Sequence, residues 1–355
     1  MTDTLDTGAA VAERRSRNPA PADAERLRVT LFDADGADRS LDADAIDLAS
    51  LSERKLLWVD VDIGDDDTPS ADTDPLLADL AARLGLGADG RDLLRELNGS
   101  ARLQNFGDWF LVQVIAVENS GGLRFRGRGL AIICGDNFVA SLHRGPLEFI
   151  ERLRDRERAE TRIGSLSAEG FTASLLDWMV ESYLHAVSDF EATVDRLEVT
   201  ILARTVNPES LPELAKLRRG ASRLRRMLAP HRHVFGALAR PDFRPDETGV
   251  ADKQFRALEQ RFERAMDAVE STRELVMGSF ELFTTRMAQR TNDTMRALTF
   301  ATVLLGSLAM VAGALGMNFK AGFFDSGDMG FWTAIASMTG VVVVAVGIAR
   351  WRRWF

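Results

Sequence analysis

Two long uncharged stretches near the C-terminus limit what this chain can fold into. The first runs from Ala297 to Phe319, 23 positions, and the second from Met329 to Ala349, 21 positions. A bilayer core about 30 Å thick is crossed by about 20 apolar residues in a helix that rises about 1.5 Å per residue. The alternative is a pair of buried core helices, which are usually shorter and carry a polar stripe. The sequence therefore predicts two membrane-spanning helices.

Charged residues around these stretches indicate their orientation. The connecting stretch from Lys320 to Asp328 carries one base and two acids. Arginines lie outside both spans: Arg286, Arg290 and Arg296 before the first, and Arg350, Arg352 and Arg353 after the second. Because basic flanks stay on the cytoplasmic side, we expect a multi-pass protein of the cell (inner) membrane with cytoplasmic N- and C-termini. Residues 1–24 lack the apolar core of a signal peptide and are expected to form a disordered tail.

The composition excludes several classes of function. The single cysteine, Cys134, rules out a disulfide framework and a multi-cysteine metal site. Acidic residues outnumber basic ones by 53 to 44, giving a net charge of −9, which argues against nucleic acid as a partner. No pairing of a nucleophile with a base is visible, so we expect neither an enzyme nor a bound cofactor.

The N-terminal part combines strand and helix patterns. Short runs rich in valine, isoleucine and phenylalanine are typical of β-strands. They occupy residues 27–32, 56–61, 109–117, 129–134 and 137–142. Between them, residues 75–97 have helical apolar spacing. The sequence predicts an α/β cytoplasmic domain over residues 25–145 and leaves its strand order open.

Beyond residue 145 the apolar spacing is helical, with a period near 3.5. It predicts a cytoplasmic pair of long helices over residues 146–250 and a stalk helix over residues 251–296. No proline follows Pro245, so a helix beginning near Ala251 could continue to about Gly316 without interruption. The same pattern fits a coiled-coil stalk or three packed antiparallel helices, and both stay open.

One side of the first span carries small and hydroxyl-bearing residues. Two membrane helices cannot enclose an aqueous path, so conduction would require several copies around an axis. The residues that recur every three or four positions are Asn292, Met295, Leu298, Thr302, Gly306, Ala309, Gly313 and Gly316. Small residues also let membrane helices pack closely, so this row fits helix packing as well as a pore.

The outer end of this span reads Gly316-Met317-Asn318. An uncharged span ending in this tripeptide, a short loop, a second span and a basic, aromatic tail resemble the CorA family of divalent-cation channels. The segment NDTMRALT, with Asn292, Met295 and Leu298, is similar to that family's entry into the first membrane helix. The segment LLDWMVESYLHAVSDFEATVDRLE resembles its first long helix, so the likeness extends over roughly residues 75–355.

The resemblance implies an architecture: an α/β cytoplasmic domain plus a long helical stalk and two C-terminal transmembrane helices, in a CorA-like funnel assembled as a homopentamer. In sequence order it implies a pore-lining transmembrane helix at 297–318, an external loop at 319–328, a second transmembrane helix at 329–349 and a basic cytoplasmic tail at 350–355.

The resemblance also implies roles for residues of the first span. Gly316, Met317 and Asn318 would form the outer selectivity ring, and Asn292 an inner polar ring. Met295 and Leu298 would form a hydrophobic constriction that gates by dewetting. The pore between them would be lined by Thr302, Gly306, Ala309 and Gly313.

Two of the implied ion contacts also have simpler interpretations. Mg²⁺ holds its water shell tightly, and the Asn318 amides could bind that shell without removing it, although asparagine also caps helices. Glu281, on the same side of the stalk, could add an acidic ring to the path or be merely solvated. The sequence departs from the family at Leu315, where an aromatic residue is common. It also departs at Leu93 and Ala257, which replace acidic residues of a regulatory metal site.

Three hypotheses remain. The first is a divalent-cation channel, for Mg²⁺ with Co²⁺ or Ni²⁺ as further ions. The second is a Zn²⁺ transporter of the ZntB type, which usually has valine where this chain has Met317. The third is a non-conducting membrane-anchored scaffold or sensor.

Other motifs are given structural interpretations. Gly85, Gly87 and Gly90 follow a helical run rather than a strand, so we expect a loop between helices and no dinucleotide site. His231 and His233 are two residues apart and are poorly placed to chelate a metal. The basic stretch from Lys216 to Arg226 is expected to be a helix face that pairs with acids on the first long helix.

Overall fold

The computed structural model describes residues 26–48, 51–52, 54–64, 73–95, 100–119, 121–122, 124–157, 163, 166–203, 209–243, 250–317 and 327–352. The predicted tail at 1–24, Asn318, most of the predicted external loop and the end of the C-terminal tail lie outside these residues. The chain divides into two compact units. One comprises Met1–Ala192 with Leu217–Glu274, and the other Thr193–Lys216 with Leu275–Phe355.

The first unit contains a seven-stranded mixed sheet with the order β2-β1-β3-β7-β6-β5-β4. Its strands are β1 Leu27–Asp33, β2 Arg39–Leu41, β3 Lys55–Asp62, β4 Arg102–Asn105, β5 Phe110–Asn119, β6 Phe125–Cys134 and β7 Phe138–His143. Strands β3 and β7 pair in parallel, and the other neighbours pair antiparallel. The sheet lies within the domain predicted from the five apolar runs. The sequence did not indicate β2 and β4, which are short, polar edge strands.

Helices make up most of the remaining described chain. They are α1 Thr73–Arg83, α2 Gly87–Arg95, α3 Glu148–Glu157, α4 Ala168–Leu202, α5 Ser210–Leu228, α6 Arg232–Leu238, α7 Val250–Leu315 and α8 Asp328–Trp351. Short 3-10 turns lie at Ala43–Ala45 and Ala229–His231. The predicted helix over residues 75–97 is interrupted between Arg83 and Gly87. The two glycines there, Gly85 and Gly87, have φ of +65° and +68°, a backbone conformation that favours glycine.

Both faces of the sheet are covered, which explains why β3 is almost continuously apolar. On one face, Val59 belongs to a buried cluster with Leu80 of α1 and Leu94 of α2. On the other face, the ring of Trp58 lies 5.4 Å from that of Phe171 in α4. The sheet therefore forms the middle layer between α1 and α2 on one side and α4 on the other.

Helix α7 is uninterrupted over 66 residues, about 100 Å at about 1.5 Å per residue. This confirms the prediction of a helix from near Ala251 to about Gly316. Its buried positions step by threes and fours, as in Phe262, Val269 and Val276. The polar Thr272 on this seam is buried, and its hydroxyl donates to the carbonyl of Ala268 at 2.8 Å.

A buried histidine ties the helices of the first unit to the sheet. Strand β4 pairs with β5 only as far as Gln113. Two residues further on, the N–H of Ile115 donates to Nε2 of His231 at 2.7 Å, and its carbonyl accepts from the Tyr183 hydroxyl at 2.9 Å. Nδ1 of His231 binds the carbonyl of Leu228 at 2.9 Å. These bonds satisfy backbone groups that the short neighbouring strand leaves unpaired.

The role of His231 makes stability depend on pH. Burial lowers the pKa of this imidazole from 6.5 to about 4, so the unfolded chain binds a proton that the folded chain excludes. The contribution of His231 to the free energy of unfolding is fully present above pH 6.5. It decreases as the pH falls towards 4, by about 3 kcal/mol in total.

We expect His231→Gln to remove most of this pH dependence. The measurement is urea unfolding of the detergent-solubilised full-length protein, followed by tryptophan fluorescence at pH 7 and pH 4.5. The matched control is His233→Gln, two residues away and exposed, which should leave the dependence intact. Equal pH dependence in both variants would contradict the assignment.

Candidate functional site

The predicted row of the first span is exposed along its whole described length. Met295 and Leu298 are 63% and 67% exposed in the single chain. The other described members are exposed as well: Asn292, Thr302, Gly306, Ala309, Gly313 and Gly316. No other described part of the chain covers this side of α7.

A second row lies on the opposite side of the same helix. Positions in an α-helix are about 100° apart, which places Phe300, Leu304 and Leu308 roughly across the axis from Thr302 and Ala309. These larger side chains are partly buried. Helix α8 also has a less exposed row, made of Gly330, Ala334, Met338, Val342, Ala345 and Ala349. We infer that the two spans of one chain pack through these rows, which leaves the small-residue row for contacts outside the chain.

The C-terminal end of the row coincides with the end of α7. The N–H of Gly316 donates to the carbonyl of Ala312 at 3.0 Å, and that of Met317 to the carbonyl of Ala314 at 3.3 Å. The helix therefore closes with a turn immediately before Asn318, whose position is outside the described residues. Met317 is 52% exposed.

Further down α7, Glu281 is exposed. It is 14 positions, or two heptads, before Met295, so the two residues lie on nearly the same side of the helix. Ser279, two residues earlier, is buried, and its hydroxyl lies 2.6 Å from Oε1 of Glu198 in α4. The Glu198 carboxylate accepts a hydrogen bond from the buried Ser279 hydroxyl, a partner that the helical periodicity alone could not predict.

The basic stretch pairs differently from the prediction. Arg225 of α5 binds Glu270 of α7 at 2.7 Å, so the expectation of a partner on the first long helix is wrong for this residue. The first long helix instead receives Arg261 of α7, which binds Asp177 at 2.8 Å and also Glu181. The error arises because periodicity places a charge on a helix face but does not say which neighbouring helix that face meets.

A buried charged cluster beneath α3 was not predicted from the sequence. Asp60 of β3 accepts bonds from Ser141 and Arg154, and its Oδ2 lies 3.3 Å from Nε2 of His143. The Trp58 indole N–H donates to the Ser141 hydroxyl at 2.9 Å. Parallel pairing brings β3 and β7 together across some 80 residues, and no local pattern predicts such a meeting.

This cluster stabilises structure and is closed to substrates. Asp60, Ser141 and His143 are each at most 3% exposed, and the serine hydroxyl binds the aspartate instead of the histidine. Burial opposes ionisation of both partners. The hydrogen bond and charge attraction between them nevertheless hold the pKa of Asp60 below, and that of His143 above, the ordinary value.

Within the described ranges, no group of three or more histidine, cysteine, aspartate or glutamate side chains is placed to hold a metal ion. His231, one of the two histidines discounted as chelators, is fully committed to hydrogen bonds. Leu93 and Ala257, two of the three departures noted in the sequence, are a buried and an exposed apolar residue.

Comparison with known proteins identifies a family. The sequence model described as "CorA-like Mg2+ transporter protein" matches residues 54–351. The chain is 27% identical over 324 residues to the divalent cation transporter CmaX of Pseudomonas aeruginosa, covering 90% of this chain and 93% of that protein. It is 26% identical over 216 residues to the cobalt/magnesium transport protein CorA of Thermotoga maritima, covering 59% of this chain and 61% of that protein.

The fold is also that of a solved structure. The complete CorA magnesium transporter of Methanocaldococcus jannaschii superposes with a TM-score of 0.68 at 20% identity, covering 92% of this chain and 98% of that one. Helices α7 and α8 are both long and apolar enough to cross a membrane. The predicted combination of sheet domain, long helix and two C-terminal apolar helices is thereby confirmed.

Labelling with a water-soluble reagent tests whether the two sides of α7 differ in their access to water. We expect single cysteines at Thr302, Ala309 or Gly313 to react with a charged, water-soluble thiol reagent in membranes at least about tenfold faster than cysteines at Leu304 or Leu308, because thiolate forms only where water reaches.

The unaltered chain is the background control for this measurement. Its one cysteine, Cys134, is buried and should not react in the folded protein. Equal, slow labelling at all five positions would mean that the small-residue row faces lipid or a packed helix.

Proposed function

This chain belongs to the family of CorA-like Mg²⁺ transporter proteins, and we propose on that premise that it is a homo-oligomeric membrane channel for divalent cations. The family is one of transporters, in agreement with the expectation that the chain is not an enzyme. The observation that carries the proposal is the exposed row of small and hydroxyl-bearing residues on α7.

Several copies are needed because one hairpin cannot enclose water. If α7 helices surround an axis, the row from Asn292 to Gly316 lines the path, and the bulkier row at Phe300 and Leu304 packs against α8 of the same chain. Small side chains at Gly306, Ala309 and Gly313 leave the conduit wide. We propose five copies, the number that the family resemblance implies.

Ion selection is assigned to the outer mouth. Mg²⁺ releases its water slowly and demands octahedral geometry, so a ring of Asn318 amides is suited to binding the hydrated ion. Neutral oxygens also release a cation more readily than carboxylates do, as conduction requires. The acidic chain, at −9, raises the local cation concentration. Glu281 would add an acidic ring on the cytoplasmic side.

Gating is assigned to the inner end of the span. Met295 and Leu298 lie one helical turn apart and present exposed apolar side chains. A ring of such side chains can expel water from a narrow path and so close it without a moving plug.

The orientation follows the charges: the sheet domain and both termini lie in the cytoplasm, and the loop after Asn318 lies outside. We propose inward transport of Mg²⁺, with Co²⁺ and Ni²⁺ as further ions. Methionine at position 317 favours this assignment over a zinc transporter.

The sharpest test is Asn318→Ala. We expect Mg²⁺ uptake into proteoliposomes to fall about tenfold or more, because each subunit loses a hydrogen-bonding group for the charged, hydrated ion. Fluorescent-indicator flux is the measurement, with Co²⁺, Ni²⁺ and Zn²⁺ assayed in parallel, with and without a proton gradient.

Asn119→Ala, far along the chain in the sheet domain, is the matched control and should leave uptake unchanged. Unaltered protein that carries no divalent cation would favour the scaffold or sensor. Uptake of zinc alone, accelerated by a proton gradient, would favour the zinc transporter.

A second test concerns the constriction. We expect Leu298→Ser to raise resting Mg²⁺ flux several-fold, since a hydroxyl ring keeps the path hydrated. Val311→Ser places a similar change on an exposed position on the other side of the helix and should leave resting flux unchanged. Equal flux in both variants would contradict gating at Leu298.

A further inference from the structure

Helix α5 presents an unusually basic surface. Its buried side includes Leu217, Ala221 and Leu224. Its remaining surface carries six basic side chains and, among described residues of this helix, one acid, Glu213. The basic side chains are Lys216, Arg218, Arg219, Arg223, Arg225 and Arg226.

Three of these arginines form a row on one face of the helix. Arg219, Arg223 and Arg226 are spaced by four and three residues, so they share one face of the helix. All three are exposed, and none makes an ion pair with any residue that the structure describes. Like charges at this spacing disfavour a helix. Negative charge from outside the chain would therefore stabilise this row.

Elsewhere the chain uses arginine and carboxylate groups to join helices. The guanidinium of Arg232 binds both carboxylate oxygens of Glu263, at 3.0 and 2.7 Å, and Arg225 of α5 binds Glu270. The unpartnered row has the same chemistry, and planar guanidinium groups are suited to bidentate binding of carboxylates.

We propose that the row of Arg219, Arg223 and Arg226 docks against the acidic surface of a second copy of this chain. The inference rests on the proposed function, which already requires several identical subunits. Subunits in a closed ring meet through two different faces, so each can offer a basic face to one neighbour and an acidic face to the other. With 53 acidic against 44 basic residues overall, a second copy provides the complementary charge. The row therefore adds a salt-sensitive contact between subunits outside the membrane spans.

The occupant can be identified directly by photocrosslinking. Arg223→Cys carries a thiol-reactive photocrosslinker in the full-length protein, which is reconstituted into proteoliposomes together with isotope-labelled unaltered chain. The products are analysed by mass spectrometry, in which a labelled peptide identifies a crosslink to a second copy. Cys134 is buried and should not interfere. We expect crosslinks to peptides of a second copy that contain aspartate or glutamate. The exposed Arg126→Cys is the matched control and should give far fewer such products.

A second measurement tests whether the contact stabilises the assembly. The triple variant Arg219→Gln, Arg223→Gln, Arg226→Gln should dissociate in detergent at about tenfold higher protein concentration than the unaltered chain. The difference should shrink at high salt.

Crosslinks to lipid or to residues of the same chain, or an unchanged assembly of the triple variant, would overturn this inference while leaving the channel proposal standing. An unaltered protein that is monomeric would overturn both.

Discussion

A backbone that crosses a bilayer must satisfy its hydrogen bonds within the protein, because lipid offers no partners. Helix α7 meets this constraint over the span with an unbroken ladder, and the sequence permits it because no proline follows Pro245. The same helix begins among the sheet domain's helices at Val250. Its register therefore fixes which side chains of the span share a face.

Helix α7 carries two kinds of periodic row, one less exposed and one more exposed. In the soluble part, residues such as Phe262 and Val269 are buried against the chain's own helices. In the span, the larger Phe300 and Leu304 are the less exposed side, while Thr302 and Gly306 remain open. Size and polarity thus sort the side chains into a less exposed face and an open face, and in the proposed channel the open face serves the other subunits and the transported ion.

Local patterns predicted the elements that depend on local physics. The apolar runs located the five long strands, the missing prolines predicted the extent of α7, and helical spacing placed the row from Asn292 to Gly316 on one side. The sheet order and the cluster around Asp60 could not be predicted from the sequence, because both depend on pairing between residues some 80 positions apart. The prediction of the partner of Arg225 was wrong for a related reason, because periodicity does not identify the neighbouring helix.

The parallel pairing of β3 with β7 has a consequence for synthesis on the ribosome. The antiparallel meander from β4 to β7 joins neighbours in sequence and can form locally, whereas β3 must wait for residues 138–143 to emerge. Until then its edge lies open to incorrect pairing. Asp60 is meanwhile without Ser141, His143 and Arg154, so the nascent N-terminal strands carry a charge that only the completed domain neutralises.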